Sequence, residues 1–155
     1  MRILMVCLGN ICRSPLAEGI LKHKSKNTNI FVDSAGTASY HIGKLPDSRS
    51  IEIANKYEID LSNQRARQFS EKDYDNFDKI YAMDTHNYAS IISISRNEND
   101  RNKVELILNE INPKLCDSVP DPYYGEGDGF QKVYNMLDEA CNIIVSKLWK
   151  KENFI

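Results

Sequence analysis

Cys7 and Arg13 stand with five residues between them in VCLGNICRSP, residues 6–15, and Ser14 follows the arginine directly. A thiolate is the attacking form of cysteine, and cationic or helix-terminal surroundings favour it. A guanidinium grips two oxygens of a phosphate through its planar fork and follows them as they flatten in a transition state; lysine would supply the charge without that geometry. Together the two residues suit nucleophilic attack on phosphorus, and a Ser14 hydroxyl beside Cys7 would make the sulfur a better leaving group afterwards. A departing alkoxide or phenolate needs a proton. Asp121 in VPDPYYG, residues 119–125, lies between two prolines that stiffen and extend the chain, so it can be aimed. It would protonate the leaving oxygen and then deprotonate the incoming water. Tyr123 and Tyr124 beside it would wall an aromatic slot. Taken alone, the same segment reads as an ordinary turn.

These residues need a scaffold that brings them together. Ile3–Val6 reads as a buried strand, and a helix from Ser14 to about Lys24 buries Leu16, Ala17, Ile20 and Leu21. A loop between a strand's carboxyl end and a helix start offers backbone N–H groups to an anion. Leu8 to Ser14 is therefore the expected phosphate-binding loop. A second strand is expected at Ile30–Val32, ending in a loop over Asp33–Thr37. Asp47 reads as the N-cap of a helix running to Tyr57, with Ile51 and Ala54 inward. Lys79–Met83 reads as a third strand, followed by an Asp84-capped helix to about Ile92. Val104–Leu108 reads as the fourth strand. Phe130, Val133, Leu137, Ala140, Cys141, Ile144 and Leu148 mark one face of a last helix, with Asp128 and Gln131 as a capping pair. Alternating strands and helices imply a doubly wound α/β fold, a four-stranded parallel sheet with helices on both faces and its site at the strand carboxyl ends.

The bulk numbers fit one domain over residues 1–155, large enough to bury roughly 70% of its unfolded surface. Hydrophobic residues make up 41% and charged residues 27%, ordinary values for a globular protein. A net charge of −2 gives no reason to expect nucleic acid as a partner, and the basic bias at Lys22–Lys26 reads as a helix end. No apolar run approaches the ~20 residues of a membrane span, and the short apolar start reads as a core strand rather than a signal peptide, so a cytoplasmic address is expected. Cys7, Cys12, Cys116 and Cys141 match no zinc spacing, and a domain of this size does not depend on disulfides.

Five segments carry a resemblance that covers essentially the whole chain: VCLGNICRSP, DSAGT at 33–37, ARQ at 66–68, AMD at 82–84 and DPYYG at 121–125. In order and spacing they resemble the low-molecular-weight protein tyrosine phosphatases. The resemblance implies a phosphatase I-like fold and hydrolysis of phosphotyrosine through a phosphocysteine. Cys7 is then the nucleophile, Arg13 the phosphate and transition-state ligand, and Asp121 the general acid, with no metal or cofactor. It further implies that Asn10, in a left-handed conformation, fixes the loop through Ser14 and Ser34. Leu8 and Ile11 would line the slot, with Tyr40, Tyr123 and Tyr124 around its mouth. Cys12 is then either the second cysteine that protects Cys7 under oxidation or a small buried filler. Gln64 stands where many relatives carry a histidine that supports Asn10. His41, beside Tyr40, is either a rim residue that tunes substrate choice or an exposed loop residue. The implied partner is a tyrosine-phosphorylated protein, and the implied assembly a monomer or a weak dimer through the tyrosine-rich rim.

A thioredoxin-coupled arsenate reductase of this fold needs two further cysteines near the helix after the third strand, and residues 80–95 contain none. Protein-arginine phosphatases of the same fold tend to carry threonine where Ile11 stands and to lack the second tyrosine, so Ile11 and Tyr124 favour an aryl phosphate. A phosphate-binding module without turnover has no use for the thiol or the acid.

Overall fold

The computed structural model describes residues 1–154. Its centre is strand β1, Arg2–Cys7, where every residue after Arg2 is buried. A strand buried on both faces is the signature of a parallel sheet covered on both sides. Side chains alternate: Ile3, Met5 and Cys7 enter one core, and Leu4 and Val6 enter the other. The chain continues through helix α1 (Arg13–Lys24), strand β2 (Phe31–Gly36), helices α2 (Ser48–Lys56) and α3 (Lys72–Asn76) and strand β3 (Lys79–Ala82). Helices α4 (Thr85–Ser93) and α5 (Glu98–Asn102), strand β4 (Val104–Leu106), a 3-10 turn over Ile107–Glu110 and helix α6 (Gly129–Asn153) complete it.

The four strands are parallel in the order β2-β1-β3-β4. From β1 the chain first moves out to β2 and then returns to β3 on the other side of β1. The connections therefore diverge at the carboxyl end of β1, the crevice where such sheets bind ligands. Residues of α1, α2 and α6 pack with Ile3, Met5 and Cys7 on one face. Tyr74 of α3 and Ile91 of α4 pack with Leu4 and Val6 on the other. The doubly wound sheet expected from the sequence is present. Among the described residues no helix is long and apolar enough to cross a membrane.

Three local expectations need correction, and two short helices were not expected. Strand β2 does not stop at Val32; the ladder with β1 runs on through Leu4↔Asp33 to Cys7↔Gly36, so most of the expected loop is strand. Asp33 and Ser34 disguise it because one side chain leaves the core and the other serves a buried polar network. Strand β4 ends at Leu106, and Ile107 and Leu108 turn to pack in the core that α6 shares. Helices α3 and α5 have five residues each, too few to show a period. Asp128 makes no side-chain cap at the start of α6. Its expected partner Gln131 instead donates to Tyr57 Oη at 2.8 Å and to Asn135 at 2.9 Å. The caps at Asp47 and Asp84 do form, accepting from Arg49 N at 2.9 Å and Asn87 N at 2.7 Å. Cys141 is a fully buried core residue.

Candidate active site

The segment from Cys7 to Arg13 joins the end of β1 to the first residue of α1. Its carbonyls are engaged from outside. Cys7 and Leu8 accept from Thr37 N and Ala38 N at 2.9 Å each, Ile11 from Asp47 N at 2.7 Å, and Cys12 from Ser50 Oγ at 3.2 Å. With these carbonyls engaged from outside, amides of the loop beyond Leu8 can face an anion at the α1 N-terminus. Gly36 makes the close approach possible, since a Cβ there would lie 2.8 Å from Leu8 O and 3.0 Å from Gly9 C.

Asn10 has φ of 56°, the left-handed conformation that asparagine tolerates better than most residues. Both hydrogens of its amide are used and the oxygen has a partner. Nδ2 donates to Ser14 Oγ at 2.8 Å and to Ser34 Oγ at 2.9 Å, while Oδ1 accepts from Arg67 N at 3.0 Å. That last bond fixes which way the amide faces. Ser34 in turn donates to Glu18 Oε2 at 2.5 Å. Ser14, already an acceptor, can give its own proton to Cys7 Sγ at 3.1 Å, a close contact for sulfur, or to Ala35 O at a long 3.4 Å. A thiolate at Cys7 is the stronger acceptor of the two. The chain of bonds then runs in one direction and ends on sulfur.

Arg13 is buried, which alone would pull its guanidinium down. Cys7, Asp84 and Asp121 more than offset that and carry it above its ordinary value. Nη1 donates to Asp84 Oδ2 at 2.6 Å and to Val119 O at 3.0 Å, and Nη2 lies 3.5 Å from Asp121 Oδ2. Asn87, buried behind Asp84, satisfies both its neighbours when its amide donates to Asp84 at 3.0 Å and accepts from Leu8 N at 3.3 Å. The fork is thus aimed by protein before any ligand arrives.

Cys7, Arg13 and Asp121 line a single cavity of about 250 Å³ together with all the expected slot residues, Leu8, Ile11, Tyr40, Tyr123 and Tyr124. Gly9, Cys12 and His41 line it too, so His41 is a rim residue. Tyr123 and Tyr124 stand edge to face, with ring centroids 4.8 Å apart. Cys7 and Cys12 are both free thiols. Burial, reinforced by Asp47, Cys7 and Asp121, pushes the Cys12 thiol up to about 12, so it stays protonated at neutral pH. A larger concavity of about 600 Å³ lies behind the loop, between α1 and residues 58–65. It contains no cysteine and mixes both signs of charge, and none of Cys7, Arg13 and Asp121 lines it. Among the described residues no group of three or more His, Cys, Asp or Glu side chains is placed to hold a metal ion.

Gln64, at the position where many relatives carry the supporting histidine, makes no hydrogen bond to Asn10. Its Nε2 donates to Pro15 O at 3.0 Å, its Oε1 has no partner, and Arg67 N meets Asn10 instead. Sequence reasoning also missed Glu18, which anchors Ser34 from inside α1, and the second role of Asp84 as the partner of Arg13. For Glu18 the available signal was an acid four residues after Ser14 on a largely apolar helix.

The family model of the low molecular weight phosphotyrosine protein phosphatases matches residues 2–153. A Synechocystis sp. protein, whose name places it among the low molecular weight protein-tyrosine-phosphatases, is 42% identical over 97% of this chain and 98% of its own. The crystal structure of a protein tyrosine phosphatase from Entamoeba histolytica superposes with a TM-score of 0.90 at 36% identity, covering 98% of this chain and 99% of that one. A Drosophila arginine phosphatase structure also superposes, with a TM-score of 0.87 at 32% identity over 96% of this chain and 98% of its own.

Proposed function

We propose, because this chain belongs to the low molecular weight phosphotyrosine protein phosphatase family, that it hydrolyses phosphotyrosine through a covalent phosphocysteine at Cys7. The chain is a protein tyrosine phosphatase, a hydrolase of phosphomonoesters. The observation that supports the mechanism is the convergence of Cys7, Arg13 and Asp121 on one cavity, with Ser14 behind the sulfur.

In the first step Cys7 sulfur, as thiolate, attacks phosphorus while the bond from phosphorus to the tyrosyl oxygen breaks. Asp121 gives its proton to the departing phenolate. Arg13 and the loop amides hold the equatorial oxygens as charge spreads over them, the kind of stabilisation that contributes most when it is organised in advance. In the second step water attacks the phosphocysteine, Asp121 takes a proton from it, and the sulfur–phosphorus bond breaks. Ser14 donates to the departing sulfur, and inorganic phosphate leaves. No metal or cofactor takes part in this scheme.

The substrate is a tyrosine-phosphorylated protein. Ile11 and Tyr124, the two residues on which an aryl rather than a guanidino phosphate is preferred, both line the cavity. We read residues 1–155 as one domain acting as a monomer or weak dimer, without nucleic acid, and place it in the cytoplasm, where a catalytic thiol is kept reduced. Cys12 serves as the reserve thiol that captures an oxidised Cys7.

Turnover of p-nitrophenyl phosphate tests the mechanism. Cys7→Ser is expected to be inactive, and Asp121→Ala to be slow while still binding phosphate. Rapid quench with a radiolabelled ester is expected to place the label on the peptide containing Cys7. Label on another side chain, or wild-type turnover by Cys7→Ser, would overturn it.

A further inference from the structure

We propose that Arg49 is a positioning residue for the general acid, latching the Asp121 loop to the phosphate loop. The proposal rests on the reading of Asp121 given above.

Asp121 Oδ1 accepts from Tyr123 N at 3.1 Å, so the backbone at 123 sets where the carboxyl group sits. Tyr123 O in turn accepts from Arg49 Nη1 at 3.2 Å. Among the described residues this is the only hydrogen bond that reaches the backbone of residues 120–125 from outside the segment. The same guanidinium lies over the Tyr123 ring, 5.4 Å from its centroid, and over the Phe130 ring at the start of α6, at 4.7 Å. Its other nitrogens hold both oxygens of Asp47, Nε to Oδ1 and Nη2 to Oδ2, at 3.0 Å each. Asp47 caps α2 and its N–H donates to Ile11 O in the phosphate loop. One side chain thus ties the acid-bearing segment to the loop that carries the nucleophile.

The Asp121 side chain also meets Arg13 at 3.5 Å, but the rest of the segment's backbone is held at one end only. Upstream, Val119 is buried, donates to Met83 O and accepts from Arg13. Downstream come Gly125 and Gly127, the latter with φ of 75°, a conformation open to glycine and costly for other residues. The chain on that side does not fix Tyr123; Arg49 does. Lysine could keep the charge beside Asp47 but not the three-way fork that also lies over two rings.

A residue that only capped α2 would slow all substrates alike. One that aims an acid matters most when the leaving group most needs a proton. The test measures kcat/KM for phenyl, p-nitrophenyl and dinitrophenyl phosphate in wild type, Arg49→Met, Arg49→Lys, Asp121→Asn and the double variant Arg49→Met/Asp121→Asn. Since general acids contribute roughly 10²–10⁴-fold, partial misplacement should cost Arg49→Met about tenfold or more on phenyl phosphate and less than about threefold on dinitrophenyl phosphate. Inhibition by inorganic phosphate should stay within about twofold, and the double variant should be no more than about twofold slower than Asp121→Asn on phenyl phosphate. A uniform loss across the three esters, an additive double variant, or full activity on phenyl phosphate would overturn the proposal. If Arg49→Met does not fold by thermal melting, Arg49→Lys decides by the same criteria. Failure of the underlying mechanism is separately visible, as wild-type protein inert towards all three esters or an active Cys7→Ser.

Discussion

Asp84→Asn removes one charge and almost no volume, yet the structure gives it a large effect. Asp84 accepts at both oxygens, from Arg13 Nη1 at 2.6 Å and from Asn87 N at 2.7 Å. The Asn87 side-chain amide donates to Asp84 as well; an amide at 84 offers one acceptor oxygen, so Arg13 Nη1 and Asn87 N cannot both keep their acceptor and one of them must face an N–H₂ group. Leaving buried Arg13 without a counter-charge is the costlier outcome, about 3–5 kcal/mol for breaking such a pair outright. The asparagine oxygen should therefore stay on Arg13 and the α4 cap should be lost, about 1 kcal/mol. Adding part of the lost Coulombic attraction, with Asp121 at 3.5 Å as remaining counter-charge, gives a destabilisation of about 3 kcal/mol. For a chain of this length that lowers Tm by roughly 6–12 °C. Saturating inorganic phosphate brings negative charge back to Arg13, and Asp84 no longer repels it. The upshift of Tm with phosphate should therefore exceed that of wild type by roughly 3 °C or more. Paired thermal melts with and without phosphate measure both quantities, and p-nitrophenyl phosphate turnover should fall at least about tenfold. A variant that melts with wild type, or gains no more from phosphate than wild type, would refute the claim that Asp84 aims Arg13.

Asn10→Asp keeps the shape and tolerates the left-handed backbone but turns two donors into acceptors. Ser14 would then donate to the introduced carboxylate and leave Cys7 sulfur without its donor; phosphoenzyme breakdown should slow and a stopped-flow burst approach one equivalent, whereas unchanged kcat would contradict the directional bond chain. Iodoacetamide at neutral pH should label Cys7 and exposed Cys116 and spare Cys12 and Cys141, whose thiols burial pushes up to about 12; peptide mass mapping checks it. Hydrogen bonding from Arg96 holds Asp100 down at about 2, so its stabilising contribution is present above the ordinary 3.8 and lost as pH falls through about 2. Acid unfolding followed by circular dichroism should accordingly show a shallower loss of stability in Asp100→Asn between those two values than in wild type.

Features written in short-range pattern were legible without a structure. The apolar run of β1, the helical period of α6 and the caps Asp47 and Asp84 each depend on neighbours within a few residues. Cys7, Arg13 and Asp121 were picked out for the same reason, each from its local context, and the structure brings the three to one cavity. Strand β2 was only half legible because a strand is recognised by its apolar face, and Asp33 and Ser34 serve polar partners instead. Helices α3 and α5 end before a period can register.

The groups that went unread act across the chain. Ser34 meets Glu18 16 residues away, Asn10 meets Arg67 at a separation of 57, and Arg13 meets Asp84 at 71. In each case one partner already had a sufficient local explanation, as a helix residue, a loop residue or a cap. Gln64 shows the converse. Its position suggested support for Asn10, yet both Asn10 amide hydrogens go to Ser14 and Ser34 and its oxygen already accepts from Arg67 N. With no donor left to offer, Asn10 has little need of a partner at 64, and a glutamine can stand there with its Oε1 unpaired. The constraint on that position is thus the count of hydrogen bonds at Asn10, and that count also leaves the Ser14 proton available to sulfur.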